Sequence, residues 1–141
     1  MPVLLDTNVV SELIRKARDP GVVDWVAGLP LENLFFSAIG EAELRYGAAI
    51  LPAGRRRETL LADIEGMLRE AFGDRVLPFD RAAAREYADI AATRRAIGRS
   101  AAPADYQIAA IARSRGMAVA TRNVRDFDGI GVGIVNPWTT K

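Results

Sequence analysis

The chain contains no histidine and no cysteine. Without histidine, every site that depends on an imidazole is excluded: the serine triad, the histidine general base and the zinc–imidazole centre. Without cysteine there is no disulfide framework and no thiolate nucleophile, in keeping with a cytoplasmic protein. Lysine is almost as scarce, with only Lys16 and Lys141 to supply an active-site amine. Seventeen arginines carry the remaining positive charge, and the formal net charge is only +1. So small a charge gives no strong overall pull on a polyanion, and any nucleic-acid contact must come from local arginine patches. No apolar run approaches the ~18 residues of a membrane span. The opening Met1-Pro2-Val3-Leu4-Leu5 meets Asp6 and Asn8 too soon for a secretory signal.

What is present is apolar enough to fold. Half of the 141 residues are hydrophobic, and a domain of this size buries roughly two-thirds of its unfolded surface. No repeat, linker or low-complexity tract interrupts the sequence, so residues 1–141 read as one compact domain. Val3-Leu4-Leu5 reads as a buried strand ending at Asp6. Helical patterns follow over Val9–Arg15 and Gly21–Leu29, bracketed by Pro20 and Pro30. Leu34-Phe35-Phe36 is a second strand. Ser37 is placed to cap a helix to about Leu51, and a long amphipathic helix is expected over Arg55–Phe72. Val76-Leu77 reads as a short strand, Asp80 caps a helix through Ile97 closed by Gly98, and a further helix runs over Ala104–Ser114 to Gly116. Met117–Ala120 and Val132–Val135 are the last strands. This alternation predicts an α/β fold with a mostly parallel sheet covered by helices, whose ligands gather at the carboxyl ends of its strands.

Several carboxylates are oddly placed for a plain scaffold. Asp6 stands where the first strand leaves the core, either as a helix cap or in the ligand zone. Glu43 shares a stripe with Ile39, Ala42, Tyr46, Gly47 and Ile50 at helical spacing, which predicts that it faces inward, whether to a metal or to an arginine. Its neighbour Glu41 points elsewhere and can pair with Arg45. Asp105 lies in the first turn of its helix in register with Ile108, Ala109 and Ala112, where the helix dipole alone also favours an anion. Asn123 and Asp126 follow the Met117–Ala120 strand in a loop that a parallel sheet brings to the edge holding Asp6. Like charges gathered there raise one another's pKa unless a cation compensates. With oxygen donors only, including Asn8 and Asn123, that cation is magnesium or manganese rather than zinc. Such a cluster suits metal-assisted hydrolysis of a phosphodiester.

The same residues carry a family resemblance. Val3-Leu4-Leu5-Asp6-Thr7-Asn8-Val9-Val10-Ser11-Glu12 resembles the first motif of PIN-domain proteins of the VapC/FitB type. Ser37-Ala38-Ile39 with Ala42-Glu43-Leu44-Arg45-Tyr46-Gly47 resembles the second, and Ala102-Pro103-Ala104-Asp105-Tyr106-Gln107-Ile108-Ala109 the third. Ala120-Thr121-Arg122-Asn123-Val124-Arg125-Asp126-Phe127, then Val135-Asn136-Pro137-Trp138, resembles the closing segment. Four motifs in the family order, from Met1 to Trp138, are specific together. The resemblance implies an α/β/α PIN fold, magnesium- or manganese-dependent endoribonuclease activity as a toxin, and a homodimer. It also implies a cognate VapB- or FitA-like antitoxin that brings the DNA-binding part. Asp6, Glu43 and Asp105 carry over as acidic site residues. For the fourth position members differ between the places of Asn123 and Asp126. Asp126 is the expected acid, with Asn123 as a neutral ligand or water-holding group and Thr121 nearby.

Two other readings compete. A haloacid-dehalogenase-type phosphatase also begins with a strand ending in aspartate, but it needs an acid where Asn8 stands and a lysine that Lys16 and Lys141 are not placed to supply. A PIN-like interaction module would use the acids structurally. For RNA contact the candidates are Arg55-Arg56-Arg57 at the start of one helix, and Arg94-Arg95 with Arg99 at the end of another, each otherwise a solvated face.

Overall fold

A computed structural model describes residues 1–139; Lys141 lies outside them. The strands are β1 (Val3–Leu5), β2 (Leu34–Ser37), β3 (Val76–Leu77), β4 (Ala118–Ala120) and β5 (Ile134–Val135), ordered β3-β2-β1-β4-β5. Every pairing is parallel. The helices are α1 (Thr7–Ile14), α2 (Pro20–Ala27), α3 (Ala38–Ala49), α4 (Arg55–Met67), α5 (Arg81–Ala96), α6 (Pro103–Ser114) and the short α7 (Val124–Phe127). The α/β architecture expected from the alternating pattern is therefore the one observed.

Because successive strand residues point to opposite faces, β1 feeds two cores. Leu4 packs with Ile90, Ile108, Ile111, Val119 and Phe127 beneath α5 and α6. Val3 and Leu5 pack with Val9, Val10, Phe36, Ile64 and Phe72 on the other face. The α5–α6 pair stops cleanly at both ends: Gly98 and Gly116 adopt φ of 70° and 67°, values in which other residues are strained.

The expected helix over Arg55–Phe72 changes character at Met67, and Leu68–Phe72 form a π-helical turn. Its wider winding brings both Leu68 and Phe72 to the core, where Phe72 stacks on Phe36 with ring centroids 5.4 Å apart. That stack makes Gly40 a tight position, since an added Cβ would lie 2.4 Å from the Phe36 ring. Alanine gains up to about 1 kcal/mol of helix propensity, but overpacking costs about 1–3 kcal/mol, and a ring held by Phe72 cannot retreat. Gly40→Ala is expected to lower the urea midpoint; an unchanged midpoint would show that the ring has room.

Candidate active site

The sheet order creates a crevice. The chain builds outward from β1 through β2 to β3, then crosses to place β4 on the other side of β1. Parallel sheets bind ligands at such a reversal, outside the carboxyl ends of the strands. Asp6 sits there, its backbone N–H donating to the Ala120 carbonyl at 2.8 Å.

The Asp6 carboxylate is only 3% exposed and is held from three sides. It accepts from the Thr7 N–H at 2.8 Å, the Thr121 hydroxyl at 2.8 Å and the Asn8 amide at 3.2 Å. Asp6 is therefore the N-cap of α1 and, at the same time, the carboxylate that stands at the sheet reversal. Burial pushes the Asp6 pKa up; the Thr121 and Thr7 hydrogen bonds oppose this, and the charges of Glu43 and Asp126 reinforce it. Asn8 turns its NH2 toward Asp6, while its oxygen accepts from the Arg122 N–H at 3.4 Å. It orients the carboxylate here and does not present its own oxygen beside it.

Glu43 requires a correction. The stripe divides: Ile39 is half-buried and packs on the core, but Ala42, Tyr46, Gly47 and Ile50 face solvent, with Tyr46 67% and Ile50 63% exposed, and Glu43 is exposed with them. The buried face of α3 is instead Gly40 and Ala48, flanked by half-buried Leu44. Small residues on both sides made the two stripes hard to tell apart by hydrophobicity. Glu43 reaches the site from the rim, accepting from the Thr7 hydroxyl at 2.5 Å. Glu41 pairs with Arg45 as its four-residue spacing predicted, and Glu65 shares that arginine.

Asp105 stands half-buried in the first turn of α6. Its pKa is pushed up to about 6, first by burial, then by the charges of Asp6, Asp126 and Glu43, against a smaller backbone hydrogen bond at Ala102. Asp126 comes to the site on α7, a short helix where the sequence pattern predicts a loop. Asn123 is exposed, and among the described residues no hydrogen bond joins its side chain to the acids.

Asp6, Glu43, Asp105 and Asp126 therefore lie within electrostatic reach of one another, and among the described residues no ion pair engages any of them. No three acidic side chains among those residues stand close enough to grip one ion as placed. The uncompensated negative charge and the oxygen-only donors fit a hard divalent cation. Next to this site the Arg122 guanidinium lies over the Trp138 ring, 5.0 Å from its centroid, a contact the sequence did not signal.

Residues 3–132 match the PIN domain family. The VapC ribonuclease Y4jK of Sinorhizobium fredii is 44% identical over 136 residues, which cover 96% of this chain and 97% of that relative. The chain belongs to the PIN-domain family, in its VapC/FitB branch. Toxin FitB of Neisseria gonorrhoeae is 40% identical over 96% of this PIN domain and 98% of its own length. The crystal structure of FitAcB from Neisseria gonorrhoeae superposes with a TM-score of 0.90 at 40% identity, covering 98% of this PIN domain and 99% of that chain. The PIN fold expected from the motifs is thus the observed fold.

Proposed function

We propose that this PIN domain is the toxin half of a toxin–antitoxin pair and acts as a magnesium- or manganese-dependent endoribonuclease of the cytoplasm. The observation that carries this reading is the set of four uncompensated acids at the sheet reversal. Burial first, and then the charges of Asp6, Asp126 and Glu43, make Asp105 an unusually weak acid, a state that a divalent cation relieves. Asp6 and Asp105 would hold the cation, with Glu43 and Asp126 completing its surroundings and Asn123 available at the rim. A bound divalent ion would supply Lewis-acid stabilisation of the phosphoryl charge. The chain's own residues do the positioning: Thr121, Thr7 and Asn8 fix the Asp6 carboxylate, and Thr7 also fixes Glu43. The purified protein should cleave an RNA oligonucleotide with magnesium or manganese and fail in chelator; metal-independent cleavage would refute the assignment.

A groove between α1, α3 and α4 opens beside Thr7 and Glu43. Its floor is apolar, with Ile14, Leu44, Leu51 and Leu60, and Arg15, Lys16, Arg55 and Arg56 stand along it. An amphipathic helix of a VapB- or FitA-like antitoxin fits such a floor and would cover the route to the acids. Any DNA contact of the pair then belongs to the antitoxin. The exposed Tyr46 on α3 and Ile50 at its C-cap supply an apolar surface for a homodimer.

The arginines on the groove, rather than aromatic side chains, make the phosphate contacts in this reading. RNA affinity of a non-cleaving variant should fall steeply with salt, and Arg55→Ala with Arg56→Ala should shallow the log–log slope by about 0.7 per lost single-strand phosphate contact. A salt-independent affinity would remove the charge-based proposal.

A further inference from the structure

Arg94 was a candidate for RNA contact by sequence, yet it is 3% exposed and inaccessible to a ligand. It falls in line with Ala83, Tyr87 and Ile90 on α5, so helical spacing turns it into the protein with the apolar stripe. A guanidinium is costly to bury unless its charge and donors are met. No carboxylate meets this one among the described residues. Its Nη2 donates instead to three backbone carbonyls, of Arg125 at 3.3 Å, Asp126 at 3.0 Å and Asp128 at 2.8 Å, and its Nε has no partner. Arg99 adds an outer bond to the Arg125 carbonyl at 3.1 Å.

Those carbonyls belong to the end of α7 and the residue that follows. A four-residue helix has no internal partners for its last carbonyls and cannot sustain itself. Its place is set from outside, and α7 carries the carboxylate that bears on Asp6 and Asp105. We propose that Arg94 is a positioning residue, a buried bracket from α5 that fixes α7 and thereby the place of Asp126 at the acidic site. The inference rests on the reading of Asp126 as one of the acids that handle the cation. Lysine is a poor replacement, since its shorter side chain does not carry a donor as far as the Nη2 that meets all three carbonyls.

The test is Mn2+ affinity measured calorimetrically on folded protein without RNA, for Arg94→Met, Arg94→Lys, Asp126→Asn and the Arg94→Met/Asp126→Asn pair. Loss of an outer support typically weakens metal binding about 10- to 100-fold. Each Arg94 variant should therefore bind Mn2+ at least about tenfold more weakly, and the pair no more weakly than Asp126→Asn alone. If Arg94→Met does not fold, Arg94→Lys and the exposed-side variant Arg99→Met carry the same comparison. Wild-type affinity in the Arg94 variants beside a weakened Asp126→Asn would overturn the bracket alone. So would losses that multiply in the pair, the mark of a structural role unrelated to Asp126. Wild-type affinity in Asp126→Asn would instead overturn the reading of the site on which the bracket depends.

Discussion

RNA cleavage by Asp6→Asn or Asp105→Asn is expected to fall on the order of a thousand-fold, the scale seen when one preorganised charge-stabilising group is lost, while both variants remain folded. At position 6 the isosteric amide keeps one oxygen for the Thr7 N–H. The Thr121 hydroxyl can rotate to accept from the new NH2 in place of donating to the carboxylate. Only Asn8 would then face a donor with a donor, and it can flip its amide by giving up the long 3.4 Å contact with the Arg122 N–H. At position 105 the side chain is half-buried and lies amid like charge, so neutralising it relieves repulsion. Activity and stability are thereby separated. Cleavage at the wild-type rate by either purified variant would sink the catalytic assignment, whatever its melting temperature.

Much of this site was legible because strand ends are legible. Val3-Leu4-Leu5 before Asp6, and Ala118–Ala120 before Thr121, are apolar runs that stop at a polar residue, and parallel topology then brings those stops to one edge. The caps were equally readable: Ser37 accepts from the Gly40 N–H and Asp80 from the Ala83 N–H, where the spacing put them. The orientation of α3 was not readable. Alanine and glycine dominate the helix, so Tyr46 and Ile50 drew the apolar face toward themselves although the fully buried positions are the small Gly40 and Ala48, with Leu44 only half-buried beside them. α7 was invisible for a different reason. Its four residues have no periodicity to detect, and the partners of its carbonyls come from Arg94, 30 positions earlier than Val124. A buried arginine in the sequence Thr93-Arg94-Arg95 looks the same as a solvated one. Only the stripe from Ala83 through Tyr87 and Ile90 could have distinguished it from Arg95.

In chelator, Asp6→Asn is expected to be at least as stable as the wild-type protein at neutral pH, and to gain less from added magnesium or manganese. The argument begins with Asp105, whose ordinary carboxyl pKa of about 3.9 rises to about 6 in the folded chain. A folded pKa above the unfolded one means that the native state binds more protons than the unfolded state between those values. Stability in chelator should therefore be penalised in full above about pH 6, recover as pH falls toward about 4, and gain nothing further from this group below that. The Asp6 shift has the same sign, adding to the penalty at neutral pH. Replacing Asp6 with asparagine removes its own burial cost and one of the charges that weaken Asp105, so the variant's stability should vary less over this window. A cation bound only by the folded state reverses the wild-type penalty, by roughly 2.7 kcal/mol at a hundred times its dissociation constant. At ~2.1 cal/mol/K of unfolding entropy per residue, that is a rise in Tm on the order of 9 °C for a chain of this length. An interaction module with structural acids behaves oppositely: neutralising Asp6 costs stability, and neither protein responds to metal. Thermal melts of both proteins, with chelator and with metal from pH 4 to pH 8, separate the two, and equal metal-induced shifts in the wild type and Asp6→Asn would show that Asp6 is not a ligand.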